Sequence, residues 1–370
     1  MEHVDGKSKW NETLRQWNVT CYILLMTSLR DVAKQAGISI ATASRVINHP
    51  EKVSKSTREK VEKAMGEVLY VQKISTIQEK IAAVFIPDLQ NPVFTRITEE
   101  IESRVKNLGW SILVCTTSDI LETERQHAYE FFSHNIKSLI FVSSVAANSS
   151  ENYPHYKALI KSGARMLFIN GAPRNVKATS ISDDELFAGQ LAAEHLLNLG
   201  HRKIGFITGK RTSSPRSTLR LSAIKSEVIK HEHASVKTVY GNWGHKGGYE
   251  SFAQLYKLHP NITAIICASD LQAIGVLQYC IENGINVPDE LSVIGSDGID
   301  QGDWVSPPLT SIQLPFNEIA NAVSQWLNAR MQENFITPNS VEILFKPNLI
   351  ERKSTNKPRK GIKVETNKDT

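Results

Sequence analysis

Residues 29–47 read LRDVAKQAGISIATASRVI, and this stretch decides how the N-terminal part of the chain folds. In its first half, apolar side chains recur at the spacing of one helix face, which predicts a short helix over 29–36. Gly37 then allows a turn, and Ser39 is a good N-cap for a second helix over 40–47. Two short helices joined in this way are typical of a helix-turn-helix, whose second helix enters the major groove of DNA.

The polar side of the second helix is the predicted DNA-reading surface. A third helix should follow, with Ser56 and Glu59 forming a capping box. Arg45 can donate two hydrogen bonds to guanine, whereas Ile40 and Ala41 can only touch thymine methyl groups or close the interface. The alternative is a three-helix bundle with a solvated basic face. The residues predicted to contact DNA are Ser28, Ser39, Ile40, Ala41, Thr42, Ser44, Arg45, Asn48, Ser54 and Thr57.

Charge is distributed unevenly along the chain. The 370 residues carry 43 Lys+Arg and 38 Asp+Glu, a net charge of +5. Residues 26–80 and 351–370 each carry a net +4, residues 81–350 carry −3, and residues 1–25 are neutral. A basic end beside an acidic body indicates a polyanionic partner. A hydrophobic fraction of 41% and a charged fraction of 22% argue against wholesale disorder and against a membrane-embedded protein.

The cysteines are few and scattered, so no disulfide framework is predicted. Cys115 and Cys267 lie in apolar strand-like runs, which predicts buried free thiols in a reducing cytoplasm. The apolar run over 19–26 is far shorter than the roughly 20 residues that a membrane span needs. The chain is therefore expected to act in the cytoplasm, away from the membrane.

From residue 81 onward, short apolar runs alternate with helix-length segments. Near-continuous apolar strands joined by helices indicate parallel sheets covered on both faces. So many strands favour two doubly wound lobes with a cleft between them, and ligands bind such folds beyond the carboxyl ends of the strands. The eight predicted strands are 81–86, 111–116, 138–143, 165–170, 203–208, 236–240, 263–268 and 291–296.

Catalytic and cofactor motifs do not occur in this core sequence. No GxGxxG follows a strand, and no HExxH, GxSxG or paired Cys/His cluster is present. The run GFITGKR (205–211) lacks the first Gly and the final Ser/Thr of a phosphate loop. His231 and His233 lie at a polar helix end, where solvation is the simpler reading. The sequence therefore predicts no enzyme, no cofactor and no metal site.

Several motifs occur together in one order: LRDVAKQAGISIATASRVIN (29–48), IPDLQNPVF (86–94), AAEHLLNLGHRKIGFITG (192–209) and NVPDELSVIGSDG (286–298). Through them the chain resembles the lactose/galactose repressor (LacI/GalR) family of bacterial transcription regulators. The resemblance implies an operator-binding head, a core like the periplasmic sugar-binding proteins, and a homodimer on a palindromic operator. It also implies a small effector in the cleft, usually a sugar, a sugar derivative or a nucleobase.

The resemblance also implies which residues bind the effector. Arg220 and Asp297 match hydroxyl-binding positions, Trp243 matches a wall position, and Ser269 stands where the family usually has Asn. Each assignment has an alternative: Arg220 on a solvated helix, Trp243 in the core, and Asp297 as a helix cap. Arg216 is a weaker candidate than Arg220. The full predicted effector set is Phe94, Arg220, Trp243, Ser269, Asp270 and Asp297.

Two stretches depart from the family pattern. Only the ten residues 71–80 separate Tyr70 from the first core strand, and neither a Pro-Asn pair nor a convincing hinge helix lies among them. Ile74 or Ile77 is the candidate for the side chain that family hinge helices insert into the minor groove. Residues 1–25 have no family counterpart, which indicates an over-extended gene start.

The sequence therefore predicts a small all-α helix-turn-helix head plus an α/β periplasmic-binding-protein-like core of two doubly wound parallel-sheet lobes. The predicted function is an effector-responsive DNA-binding regulator, expected to repress as a homodimer on double-stranded DNA with a carbohydrate effector. The alternative is a sugar-binding protein with a vestigial head, which the short linker favours. The predicted segments are an extra N-terminus 1–25, a DNA-binding domain 26–70, a linker 71–80, a core 81–350 and a disordered tail 351–370.

Overall fold

The computed structural model describes residues 28–68, 80–144, 153–173, 175–209, 215–329 and 341–359. The chain divides into two units, Met1–Ser75 and Thr76–Thr370, which we call the head and the core. The predictions made for residues 1–25, for Tyr70, for the linker over 71–79 and for residues 360–370 lie outside the described residues, and they stay predictions.

The head consists of three helices and a short 3-10 turn. The helices are α1 (Leu29–Ala36), α2 (Ile40–Asn48) and α3 (Lys55–Glu67), and the 3-10 turn is Pro50–Lys52. Gly37 ends α1 with φ of 64°, a left-handed conformation that glycine adopts at little cost. Val32, Val46 and Val61 pack together with Ala64 in one small core. The predicted helix-turn-helix geometry is therefore confirmed, because α1 and α2 follow the predicted helices almost residue for residue.

The start of α3 differs from the prediction. Ser54, rather than Ser56, is its N-cap, and the Ser54 Oγ accepts a hydrogen bond from the Thr57 N–H at 3.4 Å. The predicted capping box of Ser56 and Glu59 is therefore wrong. Because the helix already begins at Lys55, Ser56 lies inside its first turn and the orphan N–H groups are capped two residues earlier.

The first lobe is a six-stranded sheet with the spatial order β11-β5-β4-β3-β1-β2. All of its pairings are parallel. The side chains of β1 alternate, so that Val84 lies in one apolar cluster and Phe85 in another, on opposite faces of the sheet. Its strands are β1 (Ile81–Ile86), β2 (Ser111–Thr116), β3 (Ser138–Val142), β4 (Arg165–Ile169), β5 (Thr179–Asp183) and β11 (Glu342–Phe345). Its helices are α4 (Pro92–Lys106), α5 (Leu121–Ser133), α6 (Pro154–Lys161) and α12 (Phe316–Ala329).

The second lobe repeats this plan with the order β12-β10-β9-β8-β6-β7. Its pairings are parallel except that β10 and β12 run antiparallel, with Ile312 opposite Leu349. Its strands are β6 (Lys203–Thr208), β7 (Ser235–Tyr240), β8 (Ala264–Cys267), β9 (Ser292–Asp297), β10 (Thr310–Gln313) and β12 (Asn348–Ile350). Its helices are α7 (Glu185–Leu199), α8 (Pro215–Val228), α9 (His245–Leu258), α10 (Asp270–Glu282) and α11 (Gln301–Trp304).

The two lobes of the predicted fold class are confirmed, and each of the eight predicted strands is present. The prediction missed β5, β10, β11 and β12, because β5 and β10 are mostly polar and β11 and β12 have only four and three residues. The chain passes between the lobes at three places: from β5 to α7, from β10 to α12, and from β11 to β12. The first and third crossovers are joined where the Asp184 N–H donates to the Phe345 carbonyl at 2.8 Å.

The core continues beyond residue 350. Ser354 is fully buried, and its Oγ donates to the Val293 carbonyl at 2.6 Å and accepts from the Thr310 N–H at 2.8 Å. His201 also binds the Asn356 carbonyl at 2.8 Å. The predicted start of a disordered tail at residue 351 is therefore wrong, because this segment pairs with the second lobe's strands. Among the described residues, no helix is both long and apolar enough to cross a lipid bilayer.

We expect the core to lose stability as the pH falls from about 6.5 toward 4. Burial, and then the positive charge of Arg125, lower the pKa of His155 from 6.5 to about 4. The unfolded chain therefore takes up a proton first, and stability that is complete above pH 6.5 is lost below it, by about 2 kcal/mol from this group. Urea unfolding at pH 7.5 and pH 4.5 measures the loss. His155→Phe should flatten this dependence, and identical pH profiles for both proteins would contradict the assignment.

Candidate functional site

The exposed face of α2 carries the side chains that the sequence assigned to base contact. Ala43 and Val46 point into the head, with relative exposures of 0% and 5%. Ile40, Ala41 and Arg45 lie on the opposite side and are exposed, Ile40 by 47%. A short helix with one buried apolar face and an exposed face that ends in an arginine has the geometry needed to enter a major groove.

Several serines and threonines that are predicted to contact DNA form hydrogen bonds at the ends of the head helices. The Ser39 Oγ accepts from the Thr42 N–H at 3.1 Å, and Ser54 caps α3 in the same way. Ser28 instead donates its N–H and its hydroxyl to Asp31, at 2.7 and 2.6 Å. The first-turn N–H groups of these helices are the kind that bind phosphate oxygens. Contact of these hydroxyls with DNA stays a prediction, as it does for Ser44, which binds the Asn48 amide.

In the core, Arg220 lies on α8 and is 6% exposed. Its Nε donates to the Glu185 Oε2 at 2.5 Å and its Nη1 to the Ala268 carbonyl at 3.1 Å. Its Nη2 is 4.0 Å from the Asp183 Oδ2. The alternative in which Arg220 lies on a solvated helix is therefore wrong. Arg220 joins the end of β5 to the end of β8, at the carboxyl ends of both sheets.

Arg216, one turn earlier on α8, belongs to the same cluster. It binds the Asp183 carboxylate through a short ion pair and lies 3.1 Å from the Glu185 Oε1. Asp183 is the last residue of the first lobe's β5, and α8 belongs to the second lobe. The pair of Arg216 with Asp183 is therefore a contact between the lobes beside the first crossover.

Asp270 makes hydrogen bonds within the core, and its predicted contact with the effector stays a prediction. It is fully buried, and its Oδ2 accepts from the Ile299 N–H at 2.8 Å while its Oδ1 accepts from the Ser311 hydroxyl at 2.6 Å. The two hydrogen bonds therefore connect the start of α10 to the loop after β9 and to the neighbouring strand β10. Burial raises the pKa of Asp270 to about 7, against the lowering effect of the Ser311 hydrogen bond.

Asp297 ends β9 with φ of 121°, in the left-handed region that disfavours side chains. Its Oδ2 accepts from the N–H of Asp270, the first residue of α10, at 3.3 Å. The alternative reading as a helix cap therefore describes part of its role. Burial, and then the charge of Asp270, raise the pKa of Asp297, while Arg220 acts in the opposite direction.

Ser269 and Trp243 are joined at the edge of this cluster. The Ser269 Oγ caps α10 by accepting from the Gln272 N–H at 3.1 Å, and it donates to the Trp243 carbonyl at 2.6 Å. Trp243 is 38% exposed, so the alternative that places it in the core is wrong. Phe94, near the start of α4, is half-buried against an apolar cluster that also contains Ile299.

Several polar groups at strand ends were missed by sequence reasoning. Asn170 follows β4 with φ of 66°, and its Nδ2 donates to the Ser143 Oγ at 3.1 Å. Its Oδ1 is buried and has no hydrogen-bond partner among the described residues, as is true of the Thr208 hydroxyl at the end of β6. Asp183 was missed because β5 itself was not predicted. For Asn170 and Thr208, the position at the end of a predicted strand was the available signal.

A concavity of about 440 Å³ lies elsewhere on the core, between α4 and α11. Glu99 and Asp300, two of its lining carboxylates, are exposed. Beside it, Arg96 joins the lobes by donating to the Gly298 carbonyl at 2.8 Å. Buried polar groups converge at the strand ends rather than in this concavity. No group of three or more potential metal ligands occurs in the described ranges.

Gly209→Ala is expected to displace the Trp243 ring. A Cβ at residue 209 would lie 2.3 Å from the indole Cζ2, inside any possible contact distance. We expect a lower melting temperature and a red-shifted Trp243 emission. The Trp243 signal is obtained by subtracting the spectrum of Trp243→Phe, measured alone and combined with Gly209→Ala. Unchanged Trp243 emission in Gly209→Ala would show that the ring does not pack on this glycine.

Comparisons with known proteins bear on both units. A family model described as bacterial regulatory proteins, lacI family, matches residues 28–72, and a periplasmic binding protein-like domain matches residues 193–355. The transcriptional regulator MalR of Streptomyces coelicolor is 29% identical over 348 residues, which cover 90% of this chain and 97% of MalR. The transcriptional repressor CytR of Escherichia coli is 28% identical over 326 residues, which cover 85% of this chain and 92% of CytR.

Among solved structures, the lac repressor dimer bound to operator and the anti-inducer ONPF superposes with a TM-score of 0.72 at 25% identity. The match covers 89% of this chain and 99% of that one. A helix-turn-helix head followed by a two-lobed periplasmic-binding-protein-like core defines a class of bacterial transcription regulator. Residues 28–72 thus carry the DNA-binding domain of the lacI family of bacterial regulatory proteins, and residues 193–355 carry a periplasmic binding protein-like domain, which confirms the resemblance found in the sequence.

Proposed function

We propose that the chain is an effector-responsive, sequence-specific DNA-binding regulator that represses transcription as a homodimer on a palindromic operator. The observation that carries this proposal is the exposed face of α2, where Arg45 stands opposite the buried Ala43 and Val46. Two such helices in a dimer can read two half-sites. Cys115, Cys267 and Cys280 are free and buried, which fits action in the reducing cytoplasm, where DNA is accessible.

The effector site is proposed at the strand ends around Arg220, Asp297 and Trp243. A guanidinium, a carboxyl and an exposed aromatic face are the groups that bind a sugar, because they pair with hydroxyls and with the apolar ring face. Binding there acts on contacts that join the two lobes, such as Arg216 with Asp183. Regulation then follows as a shift between lobe arrangements with different DNA affinity. We assign no catalytic step to this cleft.

The test is DNA binding by the full chain. Gel shifts with fragments of its own genome should show specific complexes at a physiological salt concentration, weakening as salt rises. Addition of sugars, sugar derivatives and nucleobases should then reveal the one that changes this affinity. A second candidate function, a small-molecule binding protein with a vestigial head, is motivated by the short linker before Ile81. Ligand binding without any specific DNA complex would favour that candidate.

A further inference from the structure

The two arginines of the proposed effector site are already paired with carboxylates of the same chain. The Arg216 Nη2 forms an ion pair with the Asp183 Oδ1 and lies 3.1 Å from the Glu185 Oε1. The Arg220 Nε lies 2.5 Å from the Glu185 Oε2, and the Arg220 Nη2 lies 4.0 Å from the Asp183 Oδ2. The four side chains are 2–18% exposed. Two positive charges are thus balanced by two negative charges in one largely buried cluster.

A phosphate or carboxylate effector would have to compete with this internal pairing. Anions bind arginine tightly when its forked N–H groups are free to give charge-assisted hydrogen bonds. Here the Nε of Arg220 is bound to Glu185 and its Nη1 to the Ala268 carbonyl. Displacing Glu185 would leave a carboxylate largely buried without its partners, which costs more than a new ion pair gains.

Among the described residues, Asp297 and Asn170 add a carboxyl and an amide near the cluster. Asp297 interacts electrostatically with Arg220 and accepts a hydrogen bond from the backbone of Asp270. Asn170 lies beside the end of β5, since its N–H donates to the Ile181 carbonyl at 3.0 Å, and its buried Oδ1 has no partner in the described part of the chain. Such a carbonyl oxygen accepts a hydrogen bond from a hydroxyl and repels an anion.

We propose that the effector of this protein is an uncharged polyhydroxyl molecule and that the Asp183–Glu185–Arg216–Arg220 cluster excludes phosphorylated and carboxylated analogues. The cluster gives the cleft polar groups without excess positive charge, so hydroxyls are bound and anions are rejected. This proposal rests on the proposed function, because it takes these strand ends as the effector site. Specificity here comes as much from the rejected ligands as from the accepted one.

Inorganic phosphate is the probe for this proposal, applied to the full chain. Melting temperature is measured in 0–20 mM phosphate, with chloride holding the ionic strength constant. The wild type should show no saturable rise. Glu185→Gln removes the carboxylate that both arginines share, so it should gain a saturable rise of about 2–4 °C at the highest concentration. Glu250→Gln, an equal charge change at an exposed residue of α9, should behave as the wild type.

A saturable stabilisation of the wild type that Arg216→Gln removes would overturn the proposal. A folded Glu185→Gln protein that gains no phosphate response would overturn it as well, since the carboxylates would then not be what excludes anions. If Glu185→Gln does not fold, the wild-type and Arg216→Gln titrations decide alone. Gel shifts on the same wild-type sample test the proposed function separately, because operator binding does not depend on the phosphate response.

Discussion

Arg45→Ala is expected to abolish sequence-specific DNA binding while leaving the head folded. Arg45 is exposed at the end of α2 and takes no part in the core of Val32, Val46 and Val61. A bidentate contact from arginine to guanine discriminates by about 1–3 kcal/mol. A homodimer loses this contact in both half-sites, so we expect specific affinity to fall at least about 30-fold. Fluorescence anisotropy with a fragment that the wild type binds, at one fixed salt concentration, measures the loss.

Lys63→Ala is the matched control for Arg45→Ala. The Lys63 side chain is 80% exposed on α3 and faces Glu67, so its removal deletes one positive charge without touching the reading face. We expect only a small, sequence-independent loss of DNA affinity, because a distant charge acts through the general electrostatic attraction. Equal losses for the two variants would show that α2 does not read bases.

Arg220→Ala should destabilise the core strongly and remove the effector response. It leaves Glu185, which is 10% exposed, without its 2.5 Å partner, and deletes the hydrogen bond to the Ala268 carbonyl. Removing one partner of a buried ion pair lowers the free energy of unfolding by about 3–5 kcal/mol. Urea unfolding should register this as a lower midpoint with an unchanged slope. Lys225→Ala, at an exposed residue of the same helix, should change the free energy of unfolding by less than about 0.5 kcal/mol.

A double-mutant cycle separates the ion pair from the packing of Arg220. Removing both charges, in Arg220→Met combined with Glu185→Gln, should recover part of the stability that Arg220→Met alone loses, because Arg216 and Asp183 then remain as a balanced pair. Additive losses across the cycle would mean that Arg220 and Glu185 do not interact. The effector response should stay absent in the double variant, since the proposed hydroxyl donor is still missing.

The apolar pattern of the core sequence predicted the two sheets well, but it did not identify the polar strands. β1 and β8 are almost wholly apolar, and their pattern is typical of strands covered on both faces. β5 reads TSISD, yet Ser180 and Ser182 are buried at 5% and 0% exposure. Polar residues that tertiary packing buries carry no hydrophobic signal, so β5 could only be found from the structure.

The site was predictable only in part, because contacts between residues that are far apart in the sequence leave no local pattern. Motif matching assigned Arg220 and Asp297 to the effector site, and in the structure Asp297 ends β9 while Arg220, on α8, binds the Ala268 carbonyl after β8. It could not assign Asp183 to the Arg216 and Arg220 cluster, because an ion pair between a crossover and a later helix leaves no local pattern in the sequence. Asp270 was assigned to the effector although its two oxygens hold Ile299 and Ser311. Its neighbours in sequence do not show whether such a carboxylate holds the fold together or binds a ligand.

The three crossovers between the lobes set a constraint on biosynthesis. The edge strands β11 and β12 are the last strands of the two sheets, and they are only a few residues apart, over Glu342–Phe345 and Asn348–Ile350. A growing chain on the ribosome therefore cannot finish the first lobe before most of the second has been translated. A premature stop codon shortly before residue 342 removes β11 and β12 and leaves the inner strands β5 and β10 as new edges of the two sheets. Truncated products should then be cleared by proteases as a whole rather than persist as a folded half.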